Sequence, residues 1–449
     1  MQILPVAIEQ DHPRFANTVM SLVAVCIGAL AFIWPALLNG YPLVFSDTHV
    51  FIAQPAPGFF NWDKPFIYGP WMLLLHSWRS LWWVAAAQAL LLSQLLWLTA
   101  ACVARRALHR HLLTCFALGL VSTAPWFASF LMPDIFAGLA VLALFVLGFD
   151  RAISTWLKRW VVIVASLAIA VHLSHLIIAA TCLCVVLLFR PRRFLLALVP
   201  LLIALVALVG TSYLAFGKFS VSPHGSVFML ARLSADGHTQ PILDKYCASR
   251  TWHLCEWSER LPTDSDRFLW DGTGVVWSHP DGPIGLAPEA SEIVRAVVTE
   301  RPLQVLVSSV KNTVNQMSMI KLGDTLHSDY LDLTVEKVLR EYFPDAEVQR
   351  FQSSLQAHNE LLTKGLFGQF ERYNLVMQGV VCLSLALSLY LLLTQPKFAG
   401  PLVVMLCVGF VANALATGAL SKPHDRYQAR VSWLLLLPPL MLIGRRPRK

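Results

Sequence analysis

Acids, imidazoles and basic side chains recur in a few short stretches of this chain, each bordered by apolar sequence. The stretch "GYPLVFSDTHVFI" carries Asp47, Thr48 and His49, and "NWDKPFIYG" soon after it carries Asp63, Lys64 and Tyr68. "FLMPDIFAG" sets Asp134 directly before an apolar run, and His172, Ser174 and His175 interrupt another. Near the end, "SKPHDRYQAR" supplies Lys422, His424, Asp425, Arg426, Tyr427 and Arg430. A carboxylate can take a proton from a hydroxyl nucleophile, while cations hold a phosphate that departs with negative charge. A lipid phosphate at a bilayer surface meets both requirements. Each residue taken singly also has a plainer role, because loop charges beside apolar spans are usually solvated or paired with headgroups, and histidines can be satisfied in a core. Asp134 is harder to set aside: an ionised carboxylate flush with apolar helices is costly unless water, a cation or a partner receives it.

The elements that must position these groups are membrane spans. Hydrophobic residues make up 56% of the 449 and charged residues 14%, against roughly 45–50% and about 25% in a soluble domain. A helix needs about 20 apolar residues to cross the hydrocarbon core, and such stretches occur at 17–39, 82–103, 112–131, 135–149, 160–189, 194–216, 374–394, 398–419 and 431–444. The first follows a polar start with no small-residue cleavage site behind it, so it reads as a retained span. The formal charge of +8 does not point to nucleic acid. Its basic residues sit in short loops (Arg105, Arg106 and Arg110; Arg151, Lys158 and Arg159; Arg190, Arg192 and Arg193) and in the tail Arg445, Arg446, Arg448 and Lys449, which is the positive-inside pattern. No Walker-type or dinucleotide-type glycine loop is present.

With the basic loops cytoplasmic, 160–189 has to enter and leave on one side. It is therefore expected to form a hairpin turning near His172, Ser174 and His175, since a single helix of that length would run about 45 Å. The segment 217–373 then falls outside the cytoplasm, together with the loops that carry Asp47, Asp63, Lys64, Asp134 and Arg426. Cys247 and Cys255 are the two cysteines of nine that lie outside the apolar stretches. Such a pair suits a disulfide in an oxidising compartment, with two free thiols as the alternative. The middle of this segment, 261–288, reads as irregular, whereas 290–321 and 333–343 have helical spacing. The expected fold is an all-α polytopic membrane protein of about ten membrane segments. Residues 1–216 form an N-terminal transmembrane module, 217–373 a mainly helical periplasmic domain and 374–449 a C-terminal transmembrane module.

The arrangement resembles the GT-C superfamily of membrane glycosyltransferases, which use polyprenyl-phosphate sugars as donors. In that resemblance Asp47 of "FSDT" takes the place of the acid in the long first outer loop, Asp134 of "MPDIF" that of the acid in a short second one, and Arg426 and Tyr427 that of a late "RY" before the next apolar span. The outer segment, with "VFMLARLSADG", Cys247, Cys255 and "RFLWDG", also resembles that of bacterial multi-pass proteins. The resemblance implies a bacterial inner-membrane enzyme that transfers a sugar from a polyprenyl-phosphate carrier to a hydroxyl of a glycan, lipid or protein acceptor, with inversion. Asp47 would be the general base. Arg426 with Lys64 or His424 would hold the carrier phosphate, and Asp134 would bind sugar or position a divalent cation. Asp63, His172, His175 and Tyr427 would line the substrate site. The lone acid at the first loop, in place of the Asp-x-Asp or Glu-x-Asp pair of some members, leaves no metal ligand set assigned. A transporter or flippase of a lipid-linked precursor would also gather polar residues, though nearer the bilayer midplane, and a membrane acyltransferase would use His172 or His175 as base.

Overall fold

The computed structural model describes residues 18–103, 107–150 and 153–443. Arg105, Arg106, Arg151, the polar start and the basic tail lie outside the described residues. Among those described, the chain is helical throughout, with a single parallel bridge between Leu43 and Phe130. The helices run in the order α1 (Thr18–Leu30), α2 (Trp34–Asn39), α3 (Thr48–Ala53), α4 (Tyr68–His76), α5 (Trp82–Val103), α6 (Ala107–Val121), α7 (Ala124–Ser129), α8 (Ile135–Phe149), α9 (Thr155–Ala170), α10 (Ser174–Phe189) and α11 (Phe194–Phe216). After them come α12 (Gly225–Ala235), α13 (Gln240–Tyr246), α14 (Ser265–Trp270), α15 (Gly282–Glu300), α16 (Pro302–Ser318), α17 (Lys337–Tyr342), α18 (Asp345–Gln352), α19 (Phe370–Thr394), α20 (Pro396–Gly418), α21 (Asp425–Ser432) and α22 (Leu437–Leu442).

Among the described residues, four helices are long and apolar enough to cross a bilayer: Trp82–Val103, Pro191–Phe216, Phe370–Thr394 and Pro396–Gly418. The chain is a membrane protein on that ground. Other apolar stretches are interrupted. Residues 17–39 divide into α1 and α2, with Pro35 in the first turn of α2 where its missing N–H costs nothing. The 112–131 stretch divides at Ser122 and Thr123 between α6 and α7, and the last one runs through α21, a 3-10 turn and α22. The 160–189 stretch breaks at 171–173 into two helices of 16 residues each, with the turn at the expected histidines.

The centre of the bundle is α8, buried along its whole length and packed against α5, α9, α10 and α20. Small residues allow the close crossings that membrane helices need. Gly138 of α8 faces the Trp433 ring with no room for a Cβ, and a Cβ at Gly418 of α20 would stand 2.7 Å from the Asn312 carbonyl oxygen of α16. The inserted segment does not share one core. Residues 227–297 build a separate small core around Leu230, Phe268 and Ile293, whereas Leu339, Val348, Phe351 and Leu361 join the main one. Cys247 and Cys255, at the edge of the small core, are joined in a disulfide.

Candidate functional site

The loop that carries Asp47 is held from two sides. Leu43 N donates to the Ser129 carbonyl at 2.9 Å and Leu131 N to the Leu43 carbonyl at 2.8 Å, which brings the Asp47 loop alongside the Asp134 loop. On the other side the Gln356 amide pairs with Val44 as a strand would. It accepts from Val44 N at 3.0 Å and donates to the Val44 carbonyl at 2.7 Å. Thr48 Oγ1 accepts from Phe45 N at 2.9 Å and donates to the Leu131 carbonyl at 3.2 Å, closing the turn around Asp47. Gln88 of α5 donates to the Ala128 and Phe130 carbonyls at 3.0 and 2.9 Å and accepts from the Tyr68 hydroxyl at 2.7 Å. The acids on this irregular backbone are thus located by the Gln356 and Gln88 amides from distant elements and by the adjoining Thr48 hydroxyl.

Two charge clusters face each other there. Lys64 Nζ lies 3.2 Å from Asp47 and 2.7 Å from Asp63. Burial disfavours the ammonium, but Asp63 and Asp47 outweigh it and hold Lys64 protonated, above its usual range. Burial pushes Asp63 up, with Lys64 pulling against it. In the second cluster Asp134 is buried at the N-terminus of α8 and receives Arg426 Nε at 3.1 Å, with Arg430 Nη1 at 3.7 Å. Arg430 is wholly buried; its Nη2 donates to Ser174 Oγ and to Asn413 Oδ1, both at 2.8 Å. The guanidinium groups of Arg426 and Arg430 both lie over the Tyr427 ring, 5.3 and 5.6 Å from its centre. Arg426 lies over the Phe45 ring at 5.0 Å, two residues from Asp47, and Lys64 shares the wall of one opening with Leu173 of the histidine turn, so the two clusters adjoin.

The histidines of the α9–α10 turn complete the inner wall. The His172 and His175 rings are 5.2 Å apart, and His172 Nδ1 bonds Ser174 Oγ at 2.8 Å. His175 Nδ1 donates to the Ala168 carbonyl at 2.6 Å, so in the neutral ring Nε2 carries the lone pair. His175 Nε2, Asp134 Oδ2 and Arg430 Nη1 are buried without a protein hydrogen-bond partner. Buried polar atoms of this kind are commonly satisfied by a hydroxyl or a water.

An opening reaches the Lys64 side, walled by Trp62, Asp63 and Lys64, by Leu173 of the turn and by Leu208, Thr211 and Phe216 of α11. A smaller one reaches Arg426 between Trp126, Phe130 and Asp324. Asp47, with its side chain 36% exposed, is the acid open to a substrate, against 1% for Asp134 and 5% for Asp63.

The structure thus brings Asp47, Asp63, Lys64, Asp134, His172, His175, Arg426 and Tyr427 together. His424 stands at the rim, directed to Asp266 at 3.3 Å and Asp324 at 3.7 Å rather than inward. Arg430 and Asn413 are central, and sequence reasoning left them out of the site. Arg426 and Arg430 are four residues apart, so one helix face presents both to Asp134. Asn413 lies inside an apolar span with no neighbouring polar residue to mark it. Among the described residues, no group of three or more His, Cys, Asp or Glu side chains is placed to hold a metal ion. Asp47, Asp63 and Asp134 each already face a protein cation, so this donor set does not suit a divalent ion. In comparisons with known proteins, no family model matches the chain, and neither does any curated protein or solved structure.

Proposed function

We propose that the chain is an inverting membrane glycosyltransferase of the GT-C kind, moving a sugar from a polyprenyl-phosphate carrier to an acceptor hydroxyl. On this reading it is a bacterial inner-membrane protein of about ten membrane segments, and its site and the 217–373 segment lie on the periplasmic side. The observation that carries the reading is the pairing of an open carboxylate, Asp47, with a fixed cation, Lys64, which itself stands at the wall of an opening lined in part by apolar α11. The acceptor oxygen would bond to the anomeric carbon of the sugar as its proton passes to Asp47. The bond from that carbon to the phosphate oxygen would break, and Lys64 and Arg426 would receive the charge left on the carrier phosphate. Arg426 uses Nε on Asp134, its backbone N–H on Asp324 and its guanidinium plane on Phe45, Phe130 and Tyr427. That aromatic setting holds the plane still while its charge serves an anion.

Asp134 would orient Arg426 and Arg430 while its free oxygen, with His175 and Arg430, takes a sugar hydroxyl. His175 is wholly buried, which speaks against its serving as the exposed base of an acyltransferase. The test is Asp47→Asn with a synthetic polyprenyl-phosphate sugar. Turnover should fall about 10²–10⁴-fold while binding of the carrier is kept. Undiminished turnover would remove Asp47 as base, and failure of the wild-type chain to bind any lipid-phosphate sugar would return the reading to a transporter.

A further inference from the structure

Helix α16 has its amphipathic faces reversed relative to a helix surrounded by water. Toward the protein it turns a polar stripe at four-residue spacing. Ser308 Oγ bonds His238 Nε2 at 2.9 Å, and Asn312 Nδ2 donates to both Asp236 oxygens at 3.1 and 3.0 Å. Gln316 donates to the His424 carbonyl at 2.7 Å and accepts from His424 N at 3.0 Å. Away from the protein it turns Leu303, Leu306, Val307, Val310 and Val314, between 55 and 67% exposed. In a soluble domain the apolar stripe faces the core, and a continuous exposed one marks a site of association.

The surroundings of α16 identify what covers the stripe. α16 packs on α20, one of the helices of membrane-crossing length, and Gly418 lets the α20 backbone come close to the Asn312 carbonyl. Val411 and Leu415 lie on the same face of α20 as Gly418, at helical spacing, and are 43 and 42% exposed. Exposed apolar side chains are thus present both on this membrane helix and on the α16 that packs against it. Lys311 is the one charged residue in α16, and its long stem lets the ammonium reach the headgroup level. At about 25 Å, α16 has the length and pattern of a helix lying at the bilayer surface.

We propose that α16 is seated in the membrane, its Leu303–Val314 stripe in contact with lipid acyl chains, so that part of the inserted segment is bound to the bilayer surface. Through Gln316 this seat also holds the His424 backbone, two residues from Arg426, which makes α16 a strut between lipid and the Arg426 loop. The inference stands whether or not the site transfers sugars.

The experiment uses the full chain in vesicles of phosphatidylethanolamine and phosphatidylglycerol, with the free cysteines replaced and a nitroxide placed at Leu306, Val310 or Val314, or at the exposed Glu259 as reference. The nitroxides on α16 should collide with oxygen several-fold more, relative to a water-soluble nickel chelate, than the one at Glu259. Preference for the chelate on α16 would overturn the proposal. So would low access to both reagents with spin–spin broadening, which would assign the stripe to a second copy. The unaltered chain gives an independent reading: a phospholipid with a diazirine in its acyl chain should leave adducts on 303–314 after photolysis. Adducts on α20 with none on α16 would equally overturn it.

Discussion

At the scale of single residues, Asp47 and Asp134 look alike in the sequence and behave differently in the structure. Asp47 is partly open and shares its cation with Asp63, so an amide there leaves Lys64 a counter-charge. Asp134 is buried between Arg426 and Arg430, so an amide there leaves two buried guanidinium groups facing a neutral side chain. Breaking such a buried pair from one side typically costs about 3–5 kcal/mol. Asp134→Asn should therefore lower the thermal midpoint of the purified protein markedly, and Asp47→Asn should leave it near wild type. Equal midpoints for the two variants would show that Asp134 has no such structural duty. Arg430→Lys belongs with Asp134→Asn, because a lysine cannot reproduce the forked contact to Asn413 and Ser174.

At the scale of elements, the site depends on the segment between α17 and α19 as much as on the spans. Glu347 of α18 is buried and receives the Tyr41 hydroxyl at 2.9 Å, Leu81 N at 2.8 Å, Ser80 Oγ at 3.1 Å and Arg350 at 3.2 Å. Glu347→Leu would leave the first three donors without that acceptor, a loss on the order of 3 kcal/mol. It should also reduce activity by freeing the loop behind Asp47, and an unchanged urea midpoint would refute this. A second tether joins α14 to the last loop, with Lys422 at 2.6 Å from Asp264 and 2.8 Å from Asp266. Burial raises the Asp266 pKa, but hydrogen bonds from His424 and Lys422 outweigh it and hold the carboxyl below its ordinary 3.8. Its contribution to stability is therefore complete above that pH and lost as pH falls through the depressed value. The wild type should lose more stability than Asp266→Asn across that acid window, and parallel losses would show the tether to be idle. The four helices of spanning length were legible in sequence because long apolar runs have few alternatives in lipid, and the turn at 171–173 was legible because histidines interrupt such a run. Gln356, Glu347 and Asn413 were not, since a polar residue in a polar segment, or alone in a span, carries no periodic signal of the distant backbone it will bond. α16 had the right spacing for a helix, but spacing alone does not say which face meets protein.

At the scale of the whole molecule, two cores sit on one membrane protein. The main core continues from the spans into residues 322–361, while the smaller core near α12 and α15 stands apart. The paired helices α9 and α10 have 16 residues each and so reach about 24 Å, against about 30 Å for an average hydrocarbon core. On the proposed reading this shortfall has a consequence for the lipid: hydrophobic mismatch beside α9 and α10 would draw the leaflet down at the histidine turn. The headgroup of a lipid carrier would then arrive at the depth of Lys64 and Arg426 without its chain having to leave the bilayer. Activity in vesicles should accordingly rise as the acyl chains shorten from 18 to about 14 carbons, the direction in which the cost of that local thinning falls. A rate indifferent to chain length would mean that the carrier reaches the site by extending out of an undeformed bilayer.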